Sequence, residues 1–284
     1  MTRILVTGAS GFIGSALCPA LRLKNHEVET LQSRDGDIAD ATTLERIGPV
    51  QHVIHLAGRT FVPDSWKEPA AFQKTNVLGT ANVLEFCRTR GARLTFVSAY
   101  LYGAPERLPV SEDCTPRPNN PYAMSKHLAE QVCEFYAKQY GVAVTVIRPF
   151  NIFGPGQKAH FLIPHIVRQV REGRSIQVKD LEPRRDYLYI DDMVDALVRT
   201  LGAPSGYNVV NIGSGTSVSV RELIYTIQSV AGTALQVISE GETRHNEITD
   251  VYADIGQARL LLRWSPKLSL KQGIKKMMLQ ESGS

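Results

Sequence analysis

Cysteine is scarce, and the four present, Cys18, Cys87, Cys114 and Cys133, form no Cys-x-x-Cys pair and have no histidine-rich partner spacing. That pattern argues against a disulfide framework and against a zinc site, so free thiols in a reducing compartment and no metal centre are expected. Runs of one charge are missing too. The net charge of +4 is spread along the chain, without five consecutive basic residues, which speaks against a nucleic-acid partner and still suits a small anionic substrate. No apolar stretch approaches the roughly 18 residues that span a bilayer. The opening MTRILVTGAS enters a strand directly and lacks the charged and apolar regions of a signal peptide. A cytoplasmic protein with no membrane partner is expected. No internal repeat, linker or low-complexity segment interrupts the chain.

What is present is an alternation of short apolar runs and helical periodicity. With 284 residues, 43% of them apolar, the chain can bury a sizeable core as one large α/β domain or a domain with a smaller appendage. Ile4–Thr7 reads as a buried parallel strand, Phe12–Leu23 as a helix and Val28–Leu31 as a second strand. HVIHLAG, a helix around TNVLGTANVLEFCRTRG, RLTFVSA, a helix through YAMSKHLAEQV and AVTVIRPFN continue the βαβα order. The expected fold is α/β, a Rossmann-type doubly wound parallel sheet with a smaller C-terminal substrate-binding α/β domain.

Between the first strand and helix stand Gly8, Gly11 and Gly14, spaced Gly-x-x-Gly-x-x-Gly. Glycines there permit a tight turn and close backbone approach to a diphosphate resting on the helix N-terminus. A tight turn with no ligand would use the same residues; the strand–helix–strand setting favours the ligand. At the end of the second strand, LQSRDGD places Gln32 where an NAD-binding acid is expected, with Arg34 close behind. Loss of the acid removes repulsion from a ribose 2′-phosphate, and arginine can pair with one. NADP(H) is therefore the preferred cofactor and NAD(H) the alternative, with Arg34 as a plain solvated residue the competing reading.

Tyr122 and Lys126 lie four residues apart at the start of a predicted helix, hence on one face, one turn apart. Together with Gly8–Gly14, His55-Leu56-Ala57-Gly58 and Ser98, this pair resembles the extended short-chain dehydrogenase/reductase family of nucleotide-sugar epimerases, dehydratases and ketoreductases. The resemblance extends through RPFNIFGPGQ, RRDYLYIDDMVDA, YNVVNIGSG and LLRWSPKLSLKQGI. It implies a catalytic set of Ser98, Tyr122 and Lys126. Tyr122 exchanges a proton with the sugar, Ser98 holds the same oxygen and Lys126 also binds the nicotinamide ribose. A free phenol has a pKa of about 10, which a neighbouring ammonium and an oxidised nicotinamide are expected to lower. The resemblance further places Phe12, Ile13, Gln32, Arg34, Asp37, Ile38, Leu56, Ala57 and Gly58 along the cofactor. It places Asn151, Arg185 and Arg244 on the nucleotide diphosphate, a task suited to arginine's planar fork.

It also implies domains of 1–155, with 186–215 returning to the first, and of 156–185 plus 216–284 for substrate. It implies a homodimer through a four-helix bundle of helices near 75–90 and 121–139, although an intramolecular core contact would explain the apolar stripe of Leu128, Val132 and Phe135 as well. The loop SAYLYG separates the reactions. Sugar 4,6-dehydratases resembling this chain carry an acid pair directly after the serine or threonine, where Ala99 and Tyr100 stand here. GDP-fucose synthases carry a cysteine at the place of Tyr100. Redox chemistry at sugar C4 remains: a 4-ketoreductase by the likeness of FVPDSWKEP and VKDLEPRRDYLYIDD to GDP-4-keto-6-deoxymannose reductases, or a C4-epimerase with tightly bound NAD. Tyr100 could add a hydroxyl to the sugar pocket or simply pack. A non-catalytic NAD(P)-binding regulator would be expected to have lost Tyr122 or Lys126.

Overall fold

The apolar runs assemble into one parallel sheet. The computed structural model describes residues 1–241 and 248–280. The chain lays down β1 (Arg3–Thr7), α1 (Phe12–Leu23), β2 (Glu27–Leu31), α2 (Thr42–Glu45) and β3 (His52–His55). Helices α3 (Val62–Lys67) and α4 (Pro69–Gln73), a π-helical turn (Lys74–Leu78) and α5 (Gly79–Arg90) lead to β4 (Arg93–Val97); α6 (Pro121–Tyr140) leads to β5 (Val144–Pro149). Then follow β6 (Asn151–Phe153), α7 (Leu162–Arg171), β7 (Ile176–Val178), β8 (Arg184–Arg185), β9 (Tyr187–Tyr189) and α8 (Ile190–Arg199). Last come β10 (Tyr207–Ile212), β11 (Val218–Ser219), α9 (Val220–Ala231), β12 (Val237–Ser239), α10 (Gly256–Leu262) and α11 (Leu270–Gln280).

The main sheet has six strands in the order β10-β5-β4-β3-β1-β2, all parallel. Its inner strands are buried on both faces, which is why they do not alternate apolar with exposed polar residues, and polar side chains such as His55, Thr95 and Thr145 are buried within them. From β1 the chain steps outward to β2 and then back across β1 to β3, so the crevice of this sheet opens beyond the carboxyl ends of β1 and β3. Among the described residues no strand pairs with β2 on its outer side, and β2 is an edge. Its Glu27 and Glu29 are held by Arg3 at 3.2 and 3.0 Å, a charged rim that discourages pairing with another chain.

Helices cover both faces, α1 against α8 on one and α5 against α6 on the other. Beneath the first pair, Leu17, Leu21, Met193 and Leu197 are buried; beneath the second, Val83, Leu84, Ala129 and Cys133. Three two-stranded ladders, β6 with β9, β7 with β12 and β8 with β11, organise the segments after β5. The C-terminal part is tied to α8 by buried Asp192, whose carboxylate accepts the Lys267 and Leu268 N–H groups at 3.1 and 3.0 Å. Among the described residues no helix is long and apolar enough to cross a membrane.

Candidate active site

At the crevice, the glycine turn is built to be close. Gly8 adopts a φ of +69°, in the left-handed region, and a Cβ there would stand 2.7 Å from the Ala57 nitrogen. A Cβ on Gly14 would stand 2.5 Å from the Gly8 carbonyl. The turn therefore packs directly on Leu56-Ala57 and on the first turn of α1. Gly11 caps that helix without a side-chain hydrogen bond, and the first turn carries no acid. The N–H groups around Phe12 and Ile13 thus face the crevice with the positive end of the helix dipole, which fits a dinucleotide diphosphate.

The next predicted cofactor residues lie along the rim after β2. The backbone N–H of Gln32 donates to the Asp35 carboxylate at 2.9 Å, so that acid is committed to its own turn. Arg34 is exposed, and no carboxylate among the described residues pairs with it. Asp37 accepts from the Ala39 N–H at 3.0 Å and from Lys74 at 3.0 Å; these contacts hold its carboxyl below the usual range. Ile38 is buried against Gly79, where a Cβ would meet its Cγ2 at 2.7 Å.

Helix α6 begins with Asn120, whose side chain accepts the Ala123 N–H at 2.9 Å, and Pro121, whose missing N–H costs nothing in the first turn. Tyr122 follows at once and packs against Ala99 and Leu101 from the loop after β4. Ser98, directly after β4, is buried, and its Oγ has no hydrogen-bond partner among the described residues. A buried hydroxyl left without a partner is expensive, and it suits a site where a substrate oxygen completes the bond. Lys126 is buried one turn along, with Nζ 4.2 Å from the centre of the Phe96 ring.

Here one electrostatic expectation is corrected. Burial pushes the Tyr122 phenol well up instead of down, and burial brings the Lys126 ammonium down to about 8. Desolvation is the only cause acting on Tyr122, and for Lys126 it outweighs the attraction of Glu130 one turn along.

Tyr100 is partly buried; its hydroxyl donates to the Gly103 carbonyl at 2.6 Å, and its ring meets those of Tyr102 and Phe150 edge-on. Asn151 is exposed, and its side-chain Nδ2 donates to the Asp186 carbonyl at 2.9 Å. Arg185, half-buried, donates from Nη1 to the carbonyls of Arg184 and Ile248 at 2.8 and 2.5 Å. Arg244 lies outside the described residues. No group of three or more His, Cys, Asp or Glu among the described residues could hold a metal ion.

Several residues that shape this region were not singled out from sequence. Glu130, one turn beyond Lys126, forms a buried pair with Arg148 of β5 at 2.6 Å, and Arg148 also donates to the Tyr102 hydroxyl at 2.8 Å. Tyr102 donates onward to Asn211 of β10 at 2.7 Å. Asn76, buried in the π-helical turn, accepts the Arg59 N–H at 2.8 Å and donates to Ser125 at 2.8 Å. The legible clue was polarity at positions where the periodicity calls for apolar residues.

A family profile described as the NAD dependent epimerase/dehydratase family matches residues 4–213. GDP-6-deoxy-D-mannose reductase from Pseudomonas aeruginosa is 33% identical over 291 residues, covering 97% of this chain and 96% of the relative. UDP-glucose 4-epimerase from Mycolicibacterium smegmatis is 32% identical over 306 residues, covering 96% of each. Among solved structures, RMD from Pseudomonas aeruginosa complexed with NADPH superposes with a TM-score of 0.91 at 31% identity, covering 100% of both chains. With its parallel sheet, glycine turn and Tyr-Lys helix, the chain belongs to the NAD dependent epimerase/dehydratase family, has the extended short-chain dehydrogenase/reductase fold, and is an enzyme.

Proposed function

We propose that the chain is an NAD(P)-dependent nucleotide-sugar oxidoreductase that reduces the C4 keto group of a nucleotide-linked 4-keto-6-deoxyhexose, with NADP(H) preferred. The observation that carries this reading is the make-up of the site beside Tyr122. Tyr122 packs on the loop that follows Ser98, whose hydroxyl has no partner among the described residues, while Ala99 and the hydrogen-bonded Tyr100 occupy the places where elimination would need acids. The likeness to a GDP-6-deoxy-D-mannose reductase over nearly its whole length supports the substrate class, with GDP as the favoured nucleotide.

A bound reduced nicotinamide supplies the hydride. Ser98 donates a hydrogen bond to the C4 oxygen, and Tyr122 gives that oxygen its proton as carbon is reduced, leaving an alcohol. Lys126, as the ammonium, stabilises the phenolate that results. Asn151, Arg185 and Arg244 hold the diphosphate of the sugar nucleotide, and Tyr100 borders the sugar. The direct test is NADPH oxidation with a GDP- or dTDP-4-keto-6-deoxyhexose. One NADPH consumed per sugar is the expected result. Flat absorbance with every keto sugar, and NAD retained through purification, would give way to the C4-epimerase reading, which the likeness to UDP-glucose 4-epimerase favours.

Two further outcomes follow. Lys126 is charged below its pKa of about 8 and loses its proton above it. So kcat/KM for reduction should be level below pH 8 and fall with a limiting slope of about tenfold per pH unit above it. A profile level to pH 10 would remove Lys126 from this role. Arg34→Ala should lower the NADPH-over-NADH preference in kcat/KM by about tenfold, the worth of one charged hydrogen bond near 1.4 kcal/mol. An unchanged ratio would return Arg34 to the solvent.

The reading includes a homodimer. Leu78, Met124, Phe135 and Tyr140 are exposed along α6 and the turn before α5, whereas Val132 packs partly into the core. A four-helix bundle across a two-fold axis would cover them. Light scattering should give the mass of two chains.

A further inference from the structure

Histidine inside a buried parallel strand requires a reason, and β3 ends in one. His55 is 1% exposed, and both ring nitrogens are engaged: Nδ1 lies 2.6 Å from Thr7 Oγ1, and Nε2 lies 3.2 Å from Thr80 Oγ1. The neighbours fix the proton. Thr80 donates its hydroxyl hydrogen to the Asn76 carbonyl at 2.6 Å, so toward His55 it can only accept, and Nε2 carries the hydrogen. Nδ1 is then bare and accepts from Thr7, whose oxygen accepts the Ala57 N–H at 3.2 Å. Beyond Thr80 the chain continues through one residue. The Asn76 side chain donates to Ser125 Oγ at 2.8 Å, and Ser125 donates to the Tyr122 carbonyl at 2.7 Å.

All these bonds point one way, from the loop that packs on the glycine turn to the first turn of α6. Aligned hydrogen bonds in a dry interior polarise and stiffen one another. The arrangement requires a neutral ring, since imidazolium could not accept from Thr7. Burial, with the charge of Lys126 on α6 added, pushes His55 down to about 3, and the nearby Phe96 ring on β4 carries no charge. The π-helical turn sets Asn76 at the junction, where Gly58 leaves room: a Cβ there would stand 2.9 Å from Asn76 Oδ1.

We propose that His55 is a positioning residue that couples the Ala57 side of the cofactor crevice to the turn carrying Tyr122, so that ordering one end orders the other. This rests on the reading that the dinucleotide lies at the glycine turn and that Tyr122 works beside it.

The test is a double-mutant cycle between the two ends, Thr7→Val and Ser125→Ala, in the full chain. It is read as the Kd for NADPH by fluorescence titration, and as kcat and KM with a keto sugar. Both changes cut one coupling, so the double variant should bind NADPH about fivefold more tightly than the product of the single effects. With His55→Leu the two changes should combine within about twofold of additivity. Additivity with His55 in place overturns the proposal. Should His55→Leu fail to fold, Thr80→Val cuts the same chain, and Thr80→Ser should restore the coupling; equal coupling in Thr80→Val and Thr80→Ser also overturns it. Coupling in NADPH affinity without turnover of any keto sugar would sink the substrate reading and sustain His55's role. Turnover without coupling would do the reverse.

Discussion

Replacing Tyr122 by phenylalanine is expected to lower kcat about a thousandfold, inside the range of 10² to 10⁴ for a positioned acid or base. The Kd for NADPH should stay within about twofold, because one hydroxyl is removed and the packing of the ring is kept. That ring lies against Ala99 and Leu101 and meets Phe72 edge-on at 6.3 Å, contacts that phenylalanine preserves. Ser98 alone still polarises the keto oxygen but has no strong proton donor beside it. Rapid mixing separates the cases: binding intact with chemistry lost assigns the proton to Tyr122, and full turnover would sink the assignment. Tyr122→Phe combined with Lys126→Met should cost little more in kcat than the first change, since Lys126 acts on the proton step through the phenolate that is no longer formed, while its contact with the ribose would show in the Kd for NADPH.

The second large effect is on stability. The side chains of Glu130 and Arg148 are 4% and 7% exposed, and Arg148 reaches the carboxylate with Nε at 3.0 Å and Nη2 at 2.6 Å. Taking away one partner leaves the other charge in a dry interior, which costs about 3–5 kcal/mol. Glu130→Ala should therefore lower Tm by on the order of 10 °C. Glu130→Leu with Arg148→Met should recover most of this loss, because two apolar side chains of similar volume need no counter-ion. Tyr102 would lose the Arg148 donor yet keep its own bond to Asn211. Thermal unfolding of the three variants checks the order. A double variant as unstable as Glu130→Ala would show that the pair fixes geometry beyond its charge balance.

Much of the sheet was legible because its strands are buried on both faces: ILVT, VIHL and VTVI state their class by composition alone. The glycine turn was legible for a steric reason, since positions 8 and 14 leave no room for a Cβ. The Tyr-Lys pair was legible because helical spacing is local. What could not be read depends on distance in sequence. Arg148 meets Glu130 from another element, and His55 meets Thr7 and Thr80 across two others. No period or local preference records such partners. The direction of the Tyr122 shift was missed for a similar reason. The attraction between neighbours four apart is visible in a sequence, and the depth of their burial is not.

The outer position of β2 has a consequence for how this enzyme can change. The residues facing the adenosine end of the proposed cofactor, Gln32 to Asp37, follow a strand with a neighbour on one side only. Apart from the Asp37–Lys74 pair, substitutions there lie beside a single ladder, away from the Glu130–Arg148 pair. Selection between phosphorylated and unphosphorylated dinucleotides can therefore drift at the margin of the fold, with the proton chemistry of the inner site left in place.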